Sequence, residues 1–230
     1  MKIAIMQPYL FPYIGYWQLI HAVDKFIIFD DVNYINKGYI NRNKILVKSK
    51  PYQFTLELVG ASQNKLINEI QIGKNSDKIL KTIENNYKKS PYFKNIFPLL
   101  EDILRHDERN LAKFIGYSLK KISNYLEIGT SFVYSSDIKK DNNFKNQDKI
   151  IDICKKLKAK EYINPIGGIK LYSKEKFIAK NIKLSFINTK EIEYQQFNDE
   201  HISLLSIIDV MMFNNIVKLK SLIKKYKLTN

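Results

Sequence analysis

Residues 2–29, KIAIMQPYLFPYIGYWQLIHAVDKFIIF, contain the part of the sequence that decides the fold. Residues 2–6 and 25–29 are short apolar runs, as expected of buried strands. Between them, residues 14–23 carry apolar side chains at helical spacing, after a loop that two prolines restrict. A strand, a helix and a second strand within about thirty residues predict a β-α-β unit with two parallel strands.

The same alternation returns in the second half of the chain. Strands are predicted at residues 131–134, 161–163 and 183–187, and helices at 147–157, 173–180, 203–213 and 216–226. We therefore expect an α/β fold with a doubly wound, mostly parallel, Rossmann-like or HUP-like sheet that carries helices on both faces. Ligands of such folds bind beyond the carboxyl ends of the strands.

The middle of the chain interrupts this alternation. An antiparallel hairpin is predicted at residues 44–47 and 52–58, with its turn at 49–51. Three helices follow, at residues 76–88, 91–105 and 108–126. Ser76 is the expected N-cap of the first of them, and Pro98 predicts a kink or a break in the second. These helices form a helical insertion at about residues 74–128 within a single α/β domain, residues 1–230.

Composition restricts the kind of protein that the chain can form. The 230 residues are 45% hydrophobic, which suits a folded core, and no apolar run is long enough to span a bilayer. The N-terminal segment lacks the layout of a signal peptide, so we expect a cytoplasmic protein. Cys154 is the single cysteine, which excludes an internal disulfide. With three scattered histidines we expect no metal site, and the sequence identifies no cofactor.

The chain is strongly basic, with 38 lysines and arginines, 23 acidic residues and a net charge of +15. Only Arg42, Arg105 and Arg109 are arginines, whereas readers of nucleic acid commonly use arginine for bidentate contacts. Lysine, asparagine and isoleucine share AT-rich codons, so genome composition can explain the excess. Two interpretations stay open: a solvated lysine surface, and a basic surface for tRNA or an anionic nucleotide.

Four polar stretches follow or flank predicted strands, and we expect them to line one pocket. The first is a strand-to-helix turn, where backbone N–H groups favour an anion, and its candidates for substrate binding are Gln7, Tyr13 and Gly15. The third stretch, residues 162–172, is an Asn-Pro turn with paired glycines, and its candidates for substrate binding are Asn164, Gly167, Gly168 and Tyr172. It matches neither GxxxxGK[ST] nor GxGxxG. For both stretches the alternative is a purely structural role: packed aromatics with prolines that shape a turn in the first, and a tight turn before a helix in the third.

The second stretch, residues 30–43, combines carboxylates with an arginine, and its catalytic candidates are Asp30, Asp31 and Arg42. A carboxylate at the end of a buried strand can hold an amine or act as a general base. A guanidinium can hold a carboxylate or a phosphate. The candidates for substrate binding are Tyr34, Asn41 and Asn43. The alternative is an aspartate–arginine ion pair that fixes the loop.

The fourth stretch adds Tyr194, Gln196 and Asp209 to the candidates for substrate binding. Asp209 lies in an apolar helix, where an unpaired charge is costly, so we expect a buried partner such as Arg42. Such a pair is more often structural than catalytic. We expect the histidines at positions 21, 106 and 201 on the surface or at helix caps, and Cys154 in the core.

Together the four stretches resemble the WbqC-like protein family. The resemblance rests on MQPYLFPYIGYWQLI (6–20), DKFIIFDDVNYINKGYINRN (24–43), EYINPIGGIKLY (161–172) and YQQFNDEHISLLSIIDVMMFN (194–214). Asn33 and Tyr39 depart from the expected glutamine and tryptophan. The resemblance implies a link to bacterial surface-polysaccharide and O-antigen gene clusters, and hence to nucleotide-linked amino sugars with acyl or aminoacyl decorations.

Three functions remain as hypotheses. The first is a transferase of surface-glycan biosynthesis that acts on a sugar nucleotide, its small-molecule partner, by acyl or aminoacyl transfer. The second is an ATP-dependent ligase or nucleotidyltransferase, because residues 2–29 are similar to the opening of HIGH-type nucleotidyltransferases. In that comparison Tyr13 and Tyr16 replace both histidines. The third is a non-enzymatic RNA or tRNA binder. The oligomeric state stays open.

Overall fold

The computed structural model describes residues 1–197 and 200–229. Asn198 and Asp199, which belong to the fourth quoted motif, lie outside the described residues. The strands within the described ranges are β1 (Lys2–Met6), β2 (Lys25–Ile28), β3 (Arg42–Val47), β4 (Lys50–Thr55), β5 (Leu58–Val59), β6 (Gln71–Ile72), β7 (Ser131–Tyr134), β8 (Glu161–Pro165), β9 (Lys183–Thr189) and β10 (Tyr226–Thr229). The α-helices there are α1 (Ile14–His21), α2 (Ser76–Tyr87), α3 (Phe93–Leu104), α4 (Leu111–Tyr125), α5 (Asn146–Lys156), α6 (Lys174–Ile178), α7 (Ile207–Phe213) and α8 (Ile216–Ile223).

A mostly parallel sheet forms the centre of the molecule, as predicted. Its strand order is β10-β9-β8-β1-β2-β7, and every neighbouring pair is parallel except β10 with β9. The chain first adds β2 and β7 on one side of β1, and then returns to add β8 and β9 on the other side. The strand order therefore reverses between β1 and β8.

Both faces of this sheet are covered. On β1, Ile3 and Ile5 join one apolar cluster, whereas Ala4 between them joins another. Successive side chains of a strand point to opposite faces, so these clusters lie on the two sides of the sheet. Helices α1 and α8 contribute to the cluster with Ala4, and α5 and α6 to the cluster with Ile3. This explains why the parallel strands read as continuous apolar runs.

The three helices predicted in the middle of the chain are present as α2, α3 and α4, between β2 and β7 of the sheet. Their buried residues belong to the same apolar cluster as Ala4, so they extend the core on that side of the sheet. Helix α3 runs through Pro98 without a break. Ser76 is not an N-cap: it begins α2 after Asn75, whose side chain instead bonds to the backbone of Glu57 and Thr55.

Two further predictions need correction in detail. The hairpin is confirmed as β3 and β4, but its turn is at Lys48 and Ser49, which both have positive φ values (49° and 60°), as a type I′ turn requires. The helix predicted to reach residue 226 ends at Ile223, and Tyr226–Thr229 pair with β9 as the edge strand β10. Pairing with a distant strand overrides the local pattern there.

Candidate functional site

Three cavities lie near the carboxyl ends of the parallel strands. The β1 cavity, of about 320 Å³, is bounded by residues that include Gln7, Tyr9, Tyr13, Gly15, Tyr39 and Pro165. The β9 cavity, of about 510 Å³, is bounded by residues that include Tyr13, Pro165, Gly167, Thr189, Tyr194 and His201. The β2 cavity, of about 640 Å³, is bounded by residues that include Asp30, His106, Glu108, Lys113, Lys120 and Tyr134.

The β1 and β9 cavities meet at Tyr13 and Pro165, which line both. Pro165 ends β8, and Tyr13 immediately precedes α1, the helix that follows β1. The junction therefore lies where the strand order reverses between β1 and β8. In open α/β sheets this is the position at which the loops separate and leave a crevice for a ligand.

Gly15, in the first turn of α1, is tightly enclosed at this junction. A Cβ atom added to Gly15 would lie 2.4 Å from Tyr13 Cε2 and 2.8 Å from Thr189 Oγ1. Any side chain there would displace the Tyr13 ring, which lines both cavities. Because glycine has no Cβ atom, β9, α1 and the Tyr13 ring can lie close together at this position.

Gly167 and Gly168 have different surroundings. A Cβ atom on Gly167 would meet nothing within 4 Å, and this residue lines the β9 cavity. A Cβ atom on Gly168 would lie 2.0 Å from Asn164 Nδ2. Asn164 Oδ1 accepts a hydrogen bond from the Tyr162 hydroxyl at 3.0 Å, and that hydroxyl lies 3.1 Å from the Tyr172 hydroxyl. Asn164, Gly168 and Tyr172 therefore shape the loop, whereas Gly167 faces open space.

Asp209 is fully buried, and its carboxylate is held by three donors rather than by Arg42. The hydroxyl of Tyr194 and the amide of Gln196 donate to Oδ1 at 2.6 and 2.7 Å, and the hydroxyl of Tyr87 donates to Oδ2 at 2.7 Å. Burial raises the pKa of Asp209, and the three hydrogen bonds offset this only in part. The expected Asp209–Arg42 pair is wrong, because Arg42 Nε donates to the Gly38 carbonyl oxygen at 2.6 Å.

Asp30 follows β2 and lines the β2 cavity, away from the junction. Its Oδ1 accepts from the Ser136 backbone N–H at 3.0 Å, and its Oδ2 accepts from the Ser136 hydroxyl at 2.6 Å. The Asn68 amide donates to Oδ2 at 3.3 Å. Burial raises the pKa of Tyr134 in the same cavity to about 12, and the nearby charges of Asp30, Asp137 and Glu108 add to this effect.

Asp31 lines none of these three cavities, and two lysines hold its carboxylate. Oδ2 lies 2.7 Å from Lys140 Nζ and 3.2 Å from Lys149 Nζ, and all three side chains are largely buried. Burial raises the pKa of Asp31, but the Lys140 hydrogen bond and the two positive charges outweigh it and hold this pKa below its ordinary value. The ion pair that fixes this loop is therefore aspartate with lysine.

The remaining candidates of the second stretch bond to neighbouring backbone and side chains. The Tyr34 hydroxyl donates to Asn41 Oδ1 at 2.9 Å, and Asn41 Nδ2 donates to the Leu56 carbonyl oxygen at 2.7 Å. Asn43 Nδ2 donates to the carbonyl oxygen of Phe11, in the first stretch. These contacts join the first and second stretches, but none of the three residues lines the β1, β9 or β2 cavity.

The single pocket expected from the sequence is therefore wrong. Gln7, Tyr13 and Gly15 line the β1 cavity, Tyr13, Gly167 and Tyr194 line the β9 cavity, and Asp30 lines the β2 cavity. The sequence also missed cavity residues, namely Thr189, His201, Leu204, His106 and Tyr134. Thr189 lies two residues after the strand predicted at 183–187, which was a usable signal, whereas nothing in the local sequence brings His106 close to Asp30.

Two further observations concern metal ligands and membrane-spanning helices. In residues 1–197 and 200–229, no group of three or more His, Cys, Asp or Glu side chains could hold a metal ion. No helix in the described part of the chain is long and apolar enough to cross a bilayer.

The fold and these cavities define an α/β protein whose strand-end loops enclose space for a small molecule. The profile of the WbqC-like protein family matches residues 7–221, and the chain belongs to that family. The chain is 26% identical over 218 residues to the uncharacterized protein Rv1507c of Mycobacterium tuberculosis, with 93% of each chain covered. No solved structure matches the chain significantly.

Proposed function

We propose that this protein is a transferase that binds a nucleotide-linked amino sugar at the junction of the β1 and β9 cavities and acylates its amine. The observation that supports the proposal is the position of this junction, where the strand order of the parallel sheet reverses. The link of the WbqC-like family to surface-polysaccharide and O-antigen gene clusters supports an amino sugar as the acceptor.

The β1 cavity suits the nucleobase. Its lining includes the aromatic rings of Tyr9, Tyr13 and Tyr39. The Tyr9 and Tyr39 rings lie 5.5 Å apart between centroids, and Tyr39 is 60% exposed. Aromatic side chains stack on bases of any sequence because every base has a π face. An exposed tyrosine beside an aromatic cavity is therefore available to cover a base.

The first turn of α1 suits the diphosphate. A helix N-terminus favours negative charge, and the N-terminal end of α1 lies at the junction between Tyr13 and Gly15. The sugar then extends past Pro165 and Gly167 towards the β9 cavity. In the reaction, the sugar nitrogen forms a bond to the acyl carbon of an activated ester or thioester. The bond from that carbon to its carrier breaks, and the carrier leaves with the proton that the amine loses.

The catalytic candidates receive different roles in this proposal. Asp30 is the one that faces a cavity, but the β2 cavity lies on the other side of β1 from the β9 cavity, so we assign Asp30 no part in the proposed acyl transfer. Asp31 holds its loop through Lys140 and Lys149. Arg42 Nε is committed to the Gly38 carbonyl oxygen, so we assign Arg42 to loop structure.

Calorimetric titration with UDP, UDP-N-acetylglucosamine, dTDP and dTDP-glucose tests the proposal. At least one sugar nucleotide is expected to bind more tightly than its nucleotide diphosphate alone. Tyr39→Ala is expected to weaken binding about 5- to 150-fold, because stacking on one base contributes about 1–3 kcal/mol. Tyr52→Ala is the matched control, since Tyr52 is also exposed but lies on β4. Absence of binding at millimolar ligand, or equal affinity in Tyr39→Ala and wild type, contradicts the proposal.

The same reversal of strand order favours a second candidate, the ATP-dependent ligase or nucleotidyltransferase. Tyr16, at one of the positions compared with a histidine, is buried and donates from its hydroxyl to the Gln7 carbonyl oxygen at 2.8 Å. It is therefore committed within the loop. ATP with magnesium in the same titration, followed by an assay for pyrophosphate release with candidate acids and amines, separates the two candidates. Tight ATP binding with pyrophosphate release selects the second one.

A further inference from the structure

The β9 cavity differs chemically from the β1 cavity that it adjoins. Much of its lining is aliphatic: Ile14, Ile166, Ile187, Ile192, Leu205 and Val210. Its volume of about 510 Å³ lies within the range typical of small-molecule sites, about 300–1,000 Å³. Burial of apolar surface is therefore the main interaction that this cavity offers to a ligand.

Leu204, which also lines this cavity, has an unusually exposed side chain and an unusual backbone conformation. Its side chain is 76% exposed, and its backbone has φ = 57°, in the left-handed region that leucine rarely adopts. An exposed large apolar side chain and a strained backbone are both unfavourable, and such residues concentrate at ligand clamps. An apolar ligand in the β9 cavity would cover the Leu204 side chain.

His201 supplies a polar atom beside this apolar lining. Its Nε2 is buried and has no hydrogen-bond partner within residues 1–197 and 200–229. The ring lies edge-on to the Tyr194 ring, with 4.9 Å between centroids, and the Tyr194 hydroxyl is fixed by Asp209. A buried polar atom without a partner is costly, and a polar group of a ligand would satisfy it.

We infer that the β9 cavity is a subsite for an aliphatic acyl group. Leu204 covers the aliphatic chain of this group, and His201 Nε2 forms a hydrogen bond with its acyl oxygen. This inference rests on the proposed acyl transfer and names the class of acyl group: a straight or branched aliphatic one rather than a charged or aminoacyl one. The shared Tyr13 and Pro165 place such a group next to the proposed sugar.

Straight-chain carboxylates from acetate to octanoate are the probes, with affinity measured by ligand-observed NMR titration of the full chain. Each methylene that enters the cavity is expected to raise affinity about fourfold, until the cavity is filled. Leu204→Ser is expected to weaken octanoate binding about tenfold and to leave acetate unchanged, because it removes apolar cover. Val217→Ser is the matched control: Val217 is 74% exposed but lies on α8 and does not line the cavity.

A second pair of variants tests the location independently of Leu204. Gly167→Leu fills the β9 cavity without a clash at Cβ, so the gain in affinity should stop at a shorter chain. Gly129 also has nothing within 4 Å of an added Cβ but precedes β7, so Gly129→Leu should behave as wild type. A wild-type affinity that is independent of chain length, or equal effects of the Gly167 and Gly129 variants, overturns the inference. If sugar nucleotides bind but carboxylate affinity does not change with chain length, only this subsite is rejected. If carboxylate affinity rises with chain length but no nucleotide binds, the proposed function is rejected and the subsite is kept.

Discussion

The hydroxyl of Ser206 donates a 2.8 Å hydrogen bond to the carbonyl oxygen of Phe11, a residue 195 positions earlier in the chain. The same carbonyl oxygen accepts from Asn43 Nδ2. Phe11 is fully buried and has φ = 45°, a strained conformation for this residue type. The first, second and fourth polar stretches therefore meet at one strained peptide, which fixes the loop that leads to Tyr13 and the β1 cavity.

Replacing Ser206 by alanine tests how much this meeting point contributes to stability. Ser206→Ala removes the bond to Phe11 and also the N-cap of α7, where the hydroxyl accepts from the Ile208 N–H. We expect a loss of about 1–3 kcal/mol in the free energy of unfolding, measured by urea denaturation. Ser173→Ala is the control, because Ser173 caps α6 from a less buried position. An equal or smaller loss for Ser206→Ala would mean that the Phe11 contact contributes nothing.

The buried pair of Asp31 with Lys140 should matter at neutral pH and lose its effect in acid. Lys140→Met leaves the Asp31 carboxylate with Lys149 alone, and breaking a buried pair typically costs about 3–5 kcal/mol. Because the folded-state pKa of Asp31 is lowered, its stabilising contribution is complete above the ordinary pKa and disappears as pH falls through the lowered value.

Urea denaturation of wild type and Lys140→Met between pH 7.5 and the lowest pH at which both remain folded measures this difference. The gap in unfolding free energy should narrow as pH falls below the ordinary aspartate range. Lys121→Met is the control, because the Lys121–Asp102 pair is exposed and such pairs contribute about 0–1 kcal/mol. A gap that stays constant with pH contradicts the assignment.

The pKa of Asp209 is shifted in the opposite direction to that of Asp31, but removal of a donor to the Asp209 carboxylate should also cost less in acid. Because burial raises the folded-state pKa of Asp209, the stability from its protonated form is complete below the ordinary pKa and is lost as pH rises through the raised value. Tyr87→Phe removes the donor to Oδ2 and the acceptor of the Leu46 N–H. We expect a loss of about 1–3 kcal/mol at pH 7.5 and a smaller loss as pH falls towards the ordinary aspartate range. Tyr52→Phe, on an exposed tyrosine, should show neither effect.

Gly15→Ala should damage the junction between the β1 and β9 cavities. The added methyl group meets the Tyr13 ring and Thr189 Oγ1 well inside contact distance, so one of them must move. We expect a lower melting temperature and a loss of sugar-nucleotide binding in the titration described above. Gly129→Ala, which meets nothing within 4 Å, should leave both unchanged. Wild-type binding by Gly15→Ala would show that the ligand does not use this junction.

The parallel core could be predicted because its signals are local. Each buried parallel strand is a short apolar run, and α1 has an apolar face at helical spacing, so residues 2–29 read correctly as a β-α-β unit. Strand β10 has no such signal, because pairing with β9 rather than its own sequence pattern makes it a strand.

The sequence by itself determined the α/β class, the helical insertion and the four polar stretches, because apolar periodicity and turn residues act over a few positions. Only the tertiary structure decided which polar residues meet. The partners of Asp209 are tyrosines and a glutamine, and those of Asp31 are lysines more than a hundred positions away. Burial and distant neighbours set the charge state and the position of a side chain, and neither can be read from its local sequence.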